Sequence, residues 1–163
     1  MLKSLLLAAT LLASQGPEKT GVIAGTVVAP AQESAAPLRV ILLTPHYATL
    51  WNSDLQKRLD AYWERYKPAF AGQKEFFFEV SRMAHQEATS YIVGRMRRDA
   101  SGNMSEYLKE VSADGKFEFN NVPFGEYKIL AIGKVGNQDV IWQESIDVRS
   151  AIPQFLELKK RLP

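Results

Sequence analysis

His46 and His85 are the only histidines in the chain, so a metal site or a proton-shuttling site would have to be built around them. A two-histidine metal site needs both rings brought together with a carboxylate or tyrosines. The two sit in zones of different composition, and helical spacing turns His85 towards solvent, so no metal site is expected. A serine nucleophile needs a histidine base, and neither histidine stands in a recognisable context with Ser81, Ser90 or Ser112. G-x-S-x-G, Walker and G-x-G-x-x-G patterns are missing. Cysteine is absent, which excludes disulfides, thiolate ligands, a cysteine nucleophile and a lipid-modified N-terminal cysteine. Glu118, Glu126 and Glu144 fall in strand-like segments, where paired carboxylates do glycosidic chemistry without histidine. The same alternation is what a solvated sheet face supplies. No catalytic residue, cofactor or metal is expected, and the chain reads as a non-enzyme.

Binding chemistry is the remaining possibility. Trp51, Tyr62, Trp63 and Tyr66 form an aromatic stripe whose ring faces could stack on sugars, yet the stripe has helical core spacing. Arg95-Met96-Arg97-Arg98 and Lys159-Lys160-Arg161 are short basic clusters that could touch anionic glycan or lipid headgroups, although solvated chain ends explain such runs more often. With a net charge of +2 over 163 residues, clusters this small do not make a nucleic-acid surface.

Three zones must position these residues. From Gly21 to Leu43, GVIAGTVV and PLRVILL read as two strands separated by a loop of small residues and prolines. From Trp51 to about Arg98 the apolar period becomes helical. Trp51, Leu55, Leu59, Tyr62, Trp63 and Tyr66 share one arc, with Asn52 or Ser53 expected to cap the helix and Pro68 to stop it. A second helix is expected from Gln73 to about Arg98, burying Phe76, Phe77, Val80, Met83, Ala84, Ala88 and Tyr91, and pairing with the first as an antiparallel hairpin. After the loop DASGN the period returns to two. Strands are expected at Tyr107–Ser112, Lys116–Asn120, Glu126–Lys134, Val140–Val148 and Phe155–Leu158, with turns at Asp114-Gly115, Pro123-Phe124-Gly125 and Gly136-Asn137. In the fourth of these, Val140, Trp142, Ile146 and Val148 face one way and Gln143, Ser145 and Asp147 the other. The sum is an antiparallel sandwich of about seven strands, with the hairpin inserted at about 51–98 between the second and third.

Residues 1–16, MLKSLLLAATLLASQG, carry one positive charge at Lys3, an apolar run from Leu5 to Leu12, then small and polar residues. This is the layout of a secretory signal, with cleavage expected between Ala13 and Gly16. The run falls far short of the roughly 20 residues needed to span a bilayer. A secreted or periplasmic protein without a membrane span is expected, with 17–163 as one domain.

The segment ADGKFEFNNVPFGEYKILAIG, Ala113 to Gly133, resembles the core of the carboxypeptidase regulatory-like family, a prealbumin-like β-sandwich related to starch-binding-like modules. GVIAGTVV, with Gly21 and Gly25, is similar to the family's opening strand, and Pro37 to Leu43 to its second. The resemblance implies a sandwich used as an accessory module, and it covers about 80 residues at the two ends of the mature chain; the helical insertion departs from the pattern. Two enzyme types built on such sandwiches do not fit: an intradiol dioxygenase-like iron site wants His-x-His, and a transthyretin-like hydrolase a Tyr-Arg-Gly-Ser ending. The reading is therefore a non-enzymatic module making protein-protein contact at the cell envelope, with carbohydrate binding as the alternative. Phe78 and Met96, opposite the main helical stripe, are the expected contact surface for an envelope protein. Tyr47, in a loop after Pro45, and Phe124, at the sandwich end, are the candidates for polysaccharide.

Overall fold

The computed structural model describes residues 19–28, 37–70, 73–135 and 138–159. The signal at 1–16, the loop at 29–36, the Ala71-Gly72 break, the Gly136-Asn137 turn and the tail residues Lys160 and Arg161 lie outside the described residues. Strands β1 (Thr20–Val28) and β2 (Arg39–Leu43) precede helices α1 (Pro45–Phe70) and α2 (Lys74–Asp99). Strands β3 (Leu108–Glu110), β4 (Lys116–Pro123), β5 (Gly125–Val135), β6 (Gln138–Val148) and β7 (Gln154–Lys159) follow. Each expected strand is present, and the hairpin interrupts the sandwich between β2 and β3.

The strands form two sheets, ordered β4-β1-β7 and β3-β2-β5-β6. Ile23, Val27, Val40, Leu42, Phe117, Phe119, Ile129, Trp142, Ile146 and Leu158 fill the space between them. Alternation along β6 is as expected, with Trp142, Ile146 and Val148 buried and Gln143 and Ser145 exposed. A Cβ on Gly25 would collide with the Leu156 carbonyl oxygen and the Phe117 ring, so glycine there permits the close approach of β1 to both neighbours. Asp114-Gly115 turns β3 into β4, with Gly115 at a φ of +81°. Tyr127 donates its hydroxyl to the Pro123 carbonyl (2.9 Å), tying the corner between β4 and β5.

The sandwich is not wholly antiparallel. β7 pairs with β1 in parallel, Ile23 opposite Gln154 through Val28 opposite Lys159. The chain leaving β6 crosses from one sheet to the other before β7 begins, which delivers β7 in the direction of β1. Period-two patterning carries no information about strand direction.

A second core lies on the outer face of the four-stranded sheet, where Ile41, Leu43 and Leu130 meet Trp51, Leu55, Ala84, Ala88, Ile92 and Met96 of the hairpin. The molecule therefore has three layers: sheet, sheet and helices. This explains RVILL in β2, where Val40 and Leu42 point into the sandwich while Ile41 and Leu43 point at the helices. A strand buried on both faces reads as a continuous apolar run. Each large side chain so buried contributes roughly 1.5–3 kcal/mol, enough in sum to hold the hairpin down on the sheet.

Both helices differ in detail from their expected form. α1 starts at Pro45, not near Trp51, so Asn52 and Ser53 lie inside it and cap nothing. The Thr44 carbonyl accepts the Ala48 N–H (2.8 Å), the first bond of the helix, and Pro45 takes the first helical position, where its missing N–H costs nothing. Tyr47 is consequently helical and not in a loop. Pro68 does not stop α1, which runs to Phe70. On α2 the buried apolar positions are Val80, Ala84, Ala88, Ile92 and Met96, with Thr89 the buried polar one, whereas Phe77, Met83 and Tyr91 are exposed. The helix ends as expected at DASGN, where Gly102 at a φ of +90° sends its N–H back to the Arg97 carbonyl (2.8 Å). No helix among the described residues is long and apolar enough to cross a membrane.

Candidate functional site

The four candidate contact residues do not share one surface. Met96 is fully buried against the outer face of the sheet, so it contributes to folding and not to a contact surface. Tyr47 is half-buried and its hydroxyl donates to Asp99 Oδ2 (3.2 Å), while Tyr107 packs edge-on against its ring. Burial, and then the bond to Asp99, raise the Tyr47 hydroxyl pKa; Arg95, bonded to the same carboxylate, holds Asp99 below its usual value. Phe124 is 38% exposed at the β4–β5 corner. Phe78 is 56% exposed on α2, and it stands at a cleft.

The cleft has a volume of about 670 Å³, within the range of ligand-binding pockets. One wall is α2, through Phe78, Arg82 and His85; the floor is β6 from Asp139 to Glu144; the other wall is Leu158 and Lys159 of β7. Both β6 and β7 are edge strands of their sheets, so the cleft runs along the open side of the sandwich and is roofed on one side by the hairpin. Arg82 is paired with Glu79 (2.6 Å). His85 Nδ1 lies 2.8 Å from the Ser81 carbonyl oxygen, which can only accept, so Nδ1 carries the proton and Nε2 presents a lone pair when the ring is neutral.

Comparison with known proteins finds distant structural similarities. No family model matches the chain, and no curated protein matches it in sequence. Among solved structures, the major pilin subunit of Bacillus cereus aligns over 88% of this chain and 31% of its own, at 10% identity and a TM-score of 0.36. A candidate carbohydrate-binding protein of Pseudomonas aeruginosa aligns over 91% and 93%, at 13% identity and a TM-score of 0.39. The pilus backbone protein of Streptococcus pneumoniae aligns over 86% and 41%, at 10% identity and a TM-score of 0.35. The chain thus spans less than half the length of either pilin. None of these similarities bears on what the chain binds.

Much of the remaining chemistry flagged in the sequence is engaged in contacts within the fold. Of the aromatic stripe, Trp51 is buried and its Nε1–H donates to Thr89 Oγ1 (3.1 Å), and Tyr66 packs edge-on against Phe76. Tyr62 donates to Glu87 Oε1 (2.7 Å), whose other oxygen accepts from Arg58 (2.6 Å), so one carboxylate couples both helices. That carboxylate raises the Tyr62 pKa. Trp63 alone of the stripe is substantially exposed. Lys128 Nζ sits 4.7 Å above the Trp51 ring, bonded to Asn52 Oδ1 (3.0 Å), and burial lowers its pKa. Arg95 is paired with Asp99 and Lys159 with Glu157. No group of three or more His, Asp or Glu side chains among the described residues could hold a metal ion.

Glu144, which the sequence reading weighed as a carboxylate and assigned to a solvated sheet face, is placed differently by the structure. It is half-buried on the core-facing side of β6, between Trp142 and Ile146, where it lines the cleft. The signal was available. Position 144 is the polar exception in an otherwise apolar period-two series, Val140, Trp142, Ile146 and Val148, and an inward charge on a strand marks an edge.

Proposed function

We propose that the chain is a non-enzymatic, extracytoplasmic binding module that contacts a protein partner at the cell envelope through the cleft between α2 and the β6 edge. On this reading it is a carboxypeptidase regulatory-like sandwich whose inserted hairpin forms one wall of a binding site. The observation that carries the proposal is Phe78, a large apolar side chain left 56% exposed at the mouth of a formed cleft, where a partner can bury it. A fully buried phenylalanine gains roughly 1.5–3 kcal/mol over an exposed one.

Phe78→Asp is expected to reduce retention of the purified mature protein on native envelope by at least tenfold. Its unfolding free energy should stay within about 0.5 kcal/mol of wild type, as is usual for exposed sites. Unchanged retention would remove the cleft from the account. Carbohydrate binding is the second reading, favoured by Phe124, whose ring is open at the sandwich corner; Tyr47 no longer supports it, because its ring and hydroxyl are both engaged. Retention that survives Phe78→Asp but is lost on Phe124→Ala would favour this reading.

A further inference from the structure

We infer that residues 160–163, which follow β7, seat in the cleft and close it, with Leu162 on Phe78 and Lys160 on Asp139, so that a partner must displace them. The inference rests on the cleft being the contact surface and names how access to it is regulated.

β7 is one wall of the cleft and delivers the segment to it. Gln154 Nε2 donates to the Asp147 carbonyl (3.0 Å), which puts the start of β7 beside the end of β6. Leu158 and Lys159 line the cleft together with Asp139 to Glu144, so the two strands pass each other in opposite directions. At equal rise, position 159 comes level with about Trp142 and position 162 with about Asp139. Side chains alternate between the faces of a strand. Leu156 and Leu158 pack inward, and the same period turns Lys160 and Leu162 towards the cleft. Lys160-Arg161-Leu162-Pro163 spans about 13 Å when extended, at roughly 3.3 Å per residue, which covers the floor from Trp142 to Asp139.

Charge and apolar surface both match this occupant. Arg82 pairs with Glu79 and Lys159 with Glu157, and Glu144 is engaged within the fold. Asp139 is different: it lines the cleft, is exposed, and makes no ion pair among the described residues. Lys160 arrives within a side chain's reach of it. Phe78 stands largely exposed on the opposite wall, and Leu162 supplies the apolar side chain that covers it. Tethering favours the segment over any free ligand, because a short flexible link holds it at an effective concentration of the order of millimolar. A weak contact then suffices to keep the cleft closed.

The test is disulfide closure in the mature chain, which has no cysteine of its own. Ser81→Cys, in the cleft wall on α2, is combined with Pro163→Cys. The control combines Pro163→Cys with Phe155→Cys, nearer in the chain but on the outer face of β7. An unseated segment favours the control, because the shorter loop closes more readily. The seated segment is expected to close the first pair at least tenfold faster than the control, followed by mass spectrometry during air oxidation, and Asp139→Lys or Leu162→Asp to erase that preference. In the chain without added cysteines, Leu162→Asp should raise retention on native envelope at least threefold, because a site closed part of the time binds with an affinity reduced by its open fraction. Equal or faster closure of the control pair overturns the inference, as does a disulfide between chains in place of one within a chain, which would seat a second copy in the cleft. Faster closure of the first pair with retention unchanged by Leu162→Asp overturns the regulatory role. If the first pair closes faster but retention is indifferent to Phe78→Asp, the seat stands and the contact surface fails.

Discussion

Trp51→Ala lowers the unfolding free energy by about 3–5 kcal/mol, the range for deleting a buried large aromatic side chain. Trp51 is 1% exposed at the junction of three elements. Its ring packs on α2 beside His85, its Nε1–H bonds Thr89, and Lys128 of β5 lies over its face. Alanine removes the apolar volume, leaves the buried Thr89 hydroxyl without its donor and uncovers the Lys128 stem. Trp51→Phe separates these contributions: most of the volume is kept, and the loss of one buried bond costs about 1 kcal/mol. Urea unfolding followed by far-ultraviolet circular dichroism measures both. A cost below about 1 kcal/mol for alanine would mean that the hairpin is not docked on the sheet.

Met96→Ala is expected to cost about 2–5 kcal/mol, as for a buried methionine truncated in a packed core. A solvent-facing contact residue would cost less than about 0.5 kcal/mol. Phe78→Ala, measured alongside, should fall in that lower range. The pair tests the winding of the buried stripe along α2, since residues 18 apart fall at the same angle of a straight α-helix, yet one packs on the sheet and the other faces the cleft. Equal effects at the two positions would contradict the three-layer arrangement.

The strands were legible because alternation is a local property. Phe117 and Phe119, or Trp142 and Ile146, declare a buried face within a few residues, and the turns at Asp114-Gly115 and Pro123-Phe124-Gly125 punctuate them. The start of α1 was missed because Asn52 and Ser53 are good capping types, while Thr44-Pro45 supplied the real entry. The phase of α2 was missed for a different reason. Val80, Ala84, Ala88, Ile92 and Met96 recur every fourth residue, and each such step advances about 40° round a helix of 3.6 residues per turn. The buried stripe therefore winds round α2, and a single fixed arc assigns Phe77, Met83 and Tyr91 to the inside and Met96 to the outside. The cleft was not legible at all. It depends on how far α2 overhangs β6, a relation between Phe78 and Gln143 that no local pattern encodes. Phe78 itself was found because it falls outside the main helical stripe.

The most direct test of the cleft as contact surface is site-specific photo-crosslinking in intact cells, with a benzophenone side chain at position 78 or at position 155. Phe155 is the stricter control because it is 79% exposed, more than Phe78, on the three-stranded sheet away from the hairpin. The account predicts one discrete protein adduct from position 78 and none from position 155. An adduct from position 155 with none from position 78 would contradict it.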